Sequence, residues 1–216
     1  MAQLAQADVG TRHKILDAAE VLFARRGFSG VGMREVADSA GLGKSSLFHH
    51  FETKVALYAA VVGRILDLIE TRLLRALAQG GPPLQRFDRW LDTLIDALVE
   101  HPNSARLLLR SLFEDDDLTG ESAEEQTVER VIDRIFSAAS ELLREGMESG
   151  LFRVASIPHT LQSLVGLMVY HFASGEFGEE LLGQSVFAPN QVRKRKQEIK
   201  ALLHHGLVAH GGAENS

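Results

Sequence analysis

The feature that most constrains this chain is the spacing of its apolar residues. Segment after segment repeats them three and four positions apart, and glycine or proline closes most of these segments. That period puts apolar side chains on one stripe of an α-helix, whereas a half-buried strand needs strict alternation. No convincing alternating run and no internal repeat occur, so the expectation is an all-α fold without stacked repeats.

The pattern predicts nine main helices. Residues 1–10 read as a loose tail, and so do 211–216. Thr11 caps a first helix to about residue 26, in which Ile15, Ala18, Ala19, Leu22 and Phe23 follow helical spacing. Two short helices follow, about 33–40 and 44–50, and Thr53 caps a long one over 54–78. Gly80-Gly81-Pro82-Pro83 is a break, after which 84–100 carries Phe87, Leu91, Leu94 and Leu98 on one stripe. A helix over 103–113 precedes an acidic loop at 114–120. Ser122 and Glu125 then form a capping box for a helix that ends near Gly150. The last two helices span about 157–173 and 189–209. A glycine-rich connector joins them, with a short turn of helix at 179–182.

Composition enters by exclusion. The chain has 216 residues, room for one or two domains, and no cysteine, so disulfides, thiolate metal sites and thiol nucleophiles are ruled out. No signal peptide is visible at the N-terminus, and a cytoplasmic location is expected. The stretch 154–175 lacks acidic and basic residues, but Pro158, His159, Gln162 and His171 interrupt it, so a buried helix is expected rather than a membrane span. Formal net charge is −6, yet residues 1–54 hold seven Lys/Arg against six Asp/Glu, and 55–216 hold sixteen against twenty-three. The N-terminal part is thus relieved of the acidity of the rest, which permits contact with nucleic acid.

Residues 28–57 carry the chemistry. Two short helices joined by Gly41-Leu42-Gly43 have the form of a helix-turn-helix. At about 100° per residue, Leu47 and Phe51 share one narrow sector and face the core. Ser45 and His49 point the opposite way with Ser46 beside them, while Lys44, Phe48 and His50 lie on the flanks. Hydroxyls and imidazoles can bond base edges. Lys44 and Lys54 can reach phosphates, helped by the helix N-termini beside them. Phe48 and His50 are expected to buttress the backbone contacts.

Here the sequence resembles the TetR/AcrR family of transcriptional regulators. The resemblance rests on Ile15-Leu16-Asp17-Ala18-Ala19, Leu22-Phe23, Gly27-Phe28 and Met33-Arg34-Glu35-Val36-Ala37. It continues through Ala40-Gly41-Leu42-Gly43-Lys44-Ser45-Ser46-Leu47-Phe48-His49-His50-Phe51-Glu52-Thr53-Lys54-Val55-Ala56-Leu57. It implies a nine-helix fold with a DNA-binding domain at 11–54 and an effector-binding and dimerisation domain at 55–210. It also implies a homodimer on palindromic operator DNA and a small-molecule effector. The family commonly has Tyr where this chain has Phe48, hydroxyl residues at Val31-Gly32 and Ser at Gly43, so three polar contacts are replaced.

The resemblance places the effector among the helices between residues 54 and 173. Trp90, Leu94, Leu109, Phe113, Phe136, Met147, Met168 and His171 are candidate lining residues, and a mainly apolar ligand is expected. The helix 157–173 is apolar on nearly every face and must be covered all round. A four-helix dimer contact is therefore expected from Leu161, Leu164, Val165, Met168 and Phe172 together with Val192, Ile199, Leu202, Leu203 and Gly206.

Other readings of the same residues are weaker. Gly43-Lys44-Ser45 resembles the end of a phosphate-binding loop, but Asp38 stands where that loop needs glycine. His49-His50 and His204-His205 are adjacent pairs that diverge on a helix, so no metal and no cofactor is expected. The acidic run 114–117 lacks the ligand spacing of a calcium loop. No nucleophile-elbow pattern occurs, and Asp88 and Asp92 beside Arg86 and Arg89 read as a salt-bridged surface, so an enzyme is not expected. A helical interaction module that has lost DNA binding is the remaining alternative. Lys44, Ser45, Ser46, His49 and Lys54 argue against it.

Overall fold

The structure is a computed structural model that describes residues 2–111 and 122–209, with side chains from residue 8 onward. Phe113, the acidic loop at 114–120 and the tail at 211–216 lie outside the described residues. The described residues contain ten helices: α1 (Ala2–Arg26), α2 (Met33–Ser39), α3 (Lys44–His50), α4 (Lys54–Ala78), α5 (Pro83–Glu100), α6 (Pro102–Ser111), α7 (Ala123–Glu148), α8 (Ile157–Ala173), α9 (Glu176–Leu182) and α10 (Pro189–Leu207). The helix beyond the expected nine is α9, which the sequence pattern presents as a short turn within a connector. Residues 2–10 also differ from expectation, because α1 starts at Ala2 rather than at Thr11. Nothing before Gly10 breaks a helix, and His13 Nδ1 bonds the Val9 carbonyl at 2.7 Å across that glycine.

The chain forms two compact units, Met1–Asp67 with Asn103–Ile132, and Leu68–Pro102 with Asp133–Ser216. In the first, α1 buries Ile15, Leu16, Ala19 and Phe23, and Phe23 meets Tyr58 edge-on at 5.0 Å, with Phe28 5.4 Å from the same ring. Such ring pairs each contribute roughly 0.5–1.5 kcal/mol beyond area burial. Arg64 reaches from α4 to Asp17 and Glu20 on α1, both at 2.6 Å. The capping box at the start of α7 forms as the sequence predicts: Glu125 N–H donates to Ser122 Oγ at 3.2 Å, and Ser122 N–H to Glu125 Oε2 at 2.9 Å.

In the second unit α5 and α10 run antiparallel, joined by a ladder. Lys196 bonds Asp96 at 2.6 Å, Lys200 bonds Asp92 at 2.9 Å and His204 bonds Asp88 at 2.6 Å. Each partner steps by four residues, one helical turn, so one edge of each helix faces the other. The carboxylates of Asp88 and Asp92 therefore serve α10 and do not pair with Arg86 and Arg89. Arg86 pairs instead with Glu145, and Arg89 donates to the Ala76 carbonyl at 2.8 Å. Glu70, almost wholly buried, is held by Arg134 through both carboxylate oxygens. The end of α7 is fixed by Phe152, whose N–H bonds the Gly146 carbonyl at 2.8 Å and whose ring packs edge-on against Phe87 at 5.6 Å. A Cβ on Gly146 would stand 2.1 Å from that ring, so only glycine fits there unshifted.

Candidate nucleic-acid interface

The turn that presents α3 is set by local chemistry. Gly41 takes φ +69°, a left-handed conformation that costs other residues energy. It lets Leu42 N–H return to the Ala37 carbonyl at 2.9 Å and Gly41 N–H to Asp38 at 3.1 Å, which closes the end of α2. Gly43 then starts α3 without a side-chain cap, and Gly32 does the same for α2. Thr53 Oγ1 accepts from Ala56 N–H at 3.0 Å and starts α4.

On α3, Leu47 is fully buried and Phe51 follows it into the core at 1% exposure. Lys44, Ser45 and His49 are exposed, and Ser46 and Phe48 are half-buried. The ammonium of Lys44 sits 5.4 Å from the Phe48 ring centre, a cation–π contact that keeps the charge beside the open face. The Phe48 ring thus orients a cation, although it offers no hydroxyl.

Two of the expected residues also bond within the fold. The His50 imidazole is 8% exposed and its Nε2 lies 3.4 Å from Asp8 on α1, so it docks α3 to the start of α1 and is not on the open face. Lys54 donates to the Phe28 carbonyl at 3.1 Å and stacks 4.1 Å above the Phe28 ring. Arg12, which sequence reasoning did not single out, lies 5.0 Å over the Phe51 ring and braces the end of α3 from α1. Its signal was faint: a cation on the polar face of α1, with nothing local to say which ring it covers.

The residues expected at the dimer contact divide. Leu161, Leu164, Met168, Phe172, Val192, Ile199 and Leu203 are buried within the single chain, where α5 packs against both α8 and α10. Val165 is half-buried, whereas Leu202 at 59% exposure and Gly206 face outward. Tyr170 and Gly166 on α8 are exposed as well. The chain itself buries one side of α8, and the side that carries Gly166 and Tyr170 stays exposed, so the expected cover all round is not supplied by the single chain.

The residues expected at the effector site divide too. Trp90 and Met168 are buried, Leu94, Met147 and His171 are half-buried, and Phe136 is 37% exposed. Leu109 belongs to the first unit and the other described candidates to the second. Trp90 Nε1 and His171 Nε2 are buried without a hydrogen-bond partner among the described residues. Burial, reinforced by the nearby Arg195 charge, pushes the His171 imidazole down to about 4. An open cleft of about 360 Å³ in the first unit is lined by Arg12, His13, Gly63, Arg64, Asp67 and Glu124 among others, and by none of the expected effector residues. Among the described residues no helix is long and apolar enough to cross a membrane, and no group of three metal-ligating side chains occurs.

A short helix with a buried apolar keel and an open polar face, set after a tight glycine turn, defines a helix-turn-helix protein. Residues 15–61 match the family described as bacterial regulatory proteins, tetR family, and residues 83–202 match the tetracyclin repressor-like C-terminal domain. The chain belongs to the TetR family of transcription regulators, which are not enzymes. It is 30% identical over 146 residues to the transcriptional repressor KstR of Mycobacterium tuberculosis, which covers 64% of this chain and 65% of KstR. It is 34% identical over 108 residues to the transcriptional activator FasR of Mycolicibacterium smegmatis, covering 50% of this chain and 48% of FasR. The chain thus spans less than two thirds of either relative. Its fold is similar to that of AibR, solved with isovaleryl coenzyme A and operator DNA, at TM-score 0.72 and 19% identity over 89% of this chain and 97% of that one.

Proposed function

We propose that this protein is a dimeric, cytoplasmic, ligand-responsive repressor that binds a palindromic operator through α3. The observation that carries the reading is the exposed Lys44, Ser45 and His49 face, with Ser46 beside it, over the buried Leu47–Phe51 keel. Ser45, Ser46 and His49 would meet base edges in the major groove, with Lys44 and Lys54 on phosphates. Residues 11–54 would form the DNA-binding domain and 55–210 the effector and dimer domain. The exposed stripe Gly166, Tyr170, Leu202 and Gly206 is the part of α8 and α10 left for a symmetry mate. A small, mainly apolar effector would favour a dimer whose recognition helices are spaced wrongly for the operator. Release requires that it bind this state more tightly. The structure of AibR with an acyl thioester and operator DNA supports the pairing of these two ligands in one fold.

An operator-shift assay on DNA from the regulator's own promoter tests this. Ser45→Ala and His49→Ala should relax base preference at defined positions, each by about 1–3 kcal/mol, with little change in salt dependence. Wild-type protein that binds promoter and random DNA equally would refute operator recognition.

A further inference from the structure

We propose that the first turns of α1 clamp the end of the recognition helix, with Asp8 and Arg12 as positioning residues that set how His49 meets the operator. This rests on the reading of α3 as the element that enters the groove. α3 has only seven residues, about two turns, and it follows Gly43 without a side-chain cap. Helices this short do not hold themselves in water, so their direction is set by what they pack against. Base readout needs side chains fixed to within about 0.5 Å. Leu47 and Phe51 set the depth of α3 in the core. Apolar contact is non-directional, so such a keel opposes rotation about the helix axis only weakly.

The directional contacts come from α1. Asp8 and Arg12 stand one turn apart on it and so share a face. The Asp8 carboxylate lies 3.4 Å from His50 Nε2, and the Arg12 guanidinium lies 5.0 Å from the centre of the Phe51 ring. One face of α1 thus grips two successive residues at the end of α3, and two anchors oppose a rotation that one would allow. The grip leads to the open face. The His50 imidazole is almost wholly covered, and the exposed His49 ring meets it edge-on at 5.5 Å. Gly10 lies between the two anchors and weakens the helix there. His13 spans that weak point by donating from Nδ1 to the Val9 carbonyl at 2.7 Å. Asp8 falls within the segment that the sequence pattern presents as a loose tail.

Full-length wild-type protein, Asp8→Asn and Arg12→Gln are titrated with DNA from the regulator's own promoter and with a random duplex of the same length, across a salt series. Both side chains are exposed, so the variants should keep the wild-type fold by circular dichroism. Each should lower the ratio of operator to random-DNA affinity about two- to fivefold, the range that a cation–π contact or a partly covered ion pair supports, with the salt slope unchanged. Arg12→Lys should restore most of the ratio, because an ammonium also binds a ring face. In a His49→Ala background Asp8→Asn should lose most of its effect, since the side chain it positions is gone. Electrostatics alone predicts otherwise for Asp8: removing a carboxylate strengthens binding to both duplexes and leaves their ratio alone. An unchanged ratio in both variants overturns the clamp, and so does an undiminished Asp8→Asn effect without His49. A salt slope lowered by about one in Arg12→Gln, at an unchanged ratio, would make Arg12 a phosphate ligand and not a positioning residue. Wild-type protein without operator preference would refute the operator reading on which the clamp rests, whereas a preference untouched by either variant refutes the clamp alone.

Discussion

Lys54→Met separates two tasks that one ammonium performs. Methionine keeps the aliphatic stem, so the variant removes the charge and the donor with little change in packing. The hydrogen bond removed runs to a carbonyl that still accepts from Val31 N–H at 3.3 Å, so no buried acceptor is orphaned. The cost is then the bond itself at the low end for a charged donor, about 1–1.5 kcal/mol, plus about 0.5 kcal/mol of cation–π attraction. A sum of about 1.5–2 kcal/mol corresponds to roughly 3–8 °C in Tm for a chain of this size. Only part of the ammonium's donor capacity goes to Phe28, so the tether aims the remaining N–H bonds rather than consuming them. If those bonds meet a phosphate, Lys54→Met also lowers the salt slope of operator binding by about 0.9 for each phosphate left without its cation. The measurements are thermal or urea unfolding of the free protein and operator titration across a salt series. Reduced stability with an unchanged slope would show a tether with no phosphate role. A reduced slope with unchanged stability would refute the structural weight given to the Phe28 interaction.

Three further outcomes are expected. Leu202→Arg, at an exposed position, should leave the fold intact and yield monomers with weak operator binding, and sedimentation showing a dimer at micromolar concentration would place the interface elsewhere. Gly146→Ala gains about 1 kcal/mol of helix propensity but drives a Cβ into the Phe152 ring at an overpacking cost of about 1–3 kcal/mol. The variant should therefore be less stable in urea, and a gain would show that the ring yields freely. Stability should also fall with acidification in two stages. His171, lowered to about 4 in the fold from 6.5, is protonated first in the unfolded chain, so its contribution is full above 6.5 and is lost as pH falls to about 4. Glu70 is lowered by its Arg134 hydrogen bond, so its contribution is full above 4.5 and lost as pH falls through the folded value. His171→Gln should flatten the first stage only, and an unchanged profile in that variant would assign the loss to another group.

What the sequence made legible was chemistry confined to neighbouring residues. Thr53, the Ser122–Glu125 box, the glycine turn at 41 and the bounds of α3 all depend on interactions within a few positions, and all stand where the pattern put them. The Leu47–Phe51 keel was legible for the same reason, since helical angle alone separates it from Ser45 and His49. His50 sits at the edge of that angle and Lys54 beyond α3 at the start of α4, and there the neighbours decide. Asp8 draws one inward and Phe28 holds the other, and neither partner is local. The cover of α8 was illegible for a related reason. An apolar helix does not reveal which chain covers it, and here α5 packs on one side of α8 while Tyr170, Leu202 and the two glycines stay outside.

The same limit applies to the pairing of charges. Asp88, Asp92 and Asp96 on one helix, with Lys196, Lys200 and His204 on another, are each spaced by one turn, a matching that is visible in the chain but means nothing until the helices are known to be antiparallel. Once those cations are assigned, Arg195 is left facing α8 without a carboxylate among the described residues. A sequence shows where charges are, whereas recognition depends on which charge remains unneutralised after the fold has paired the others. A half-buried guanidinium kept in that state lowers stability, because the fold takes water from it and supplies a carbonyl but no counter-charge.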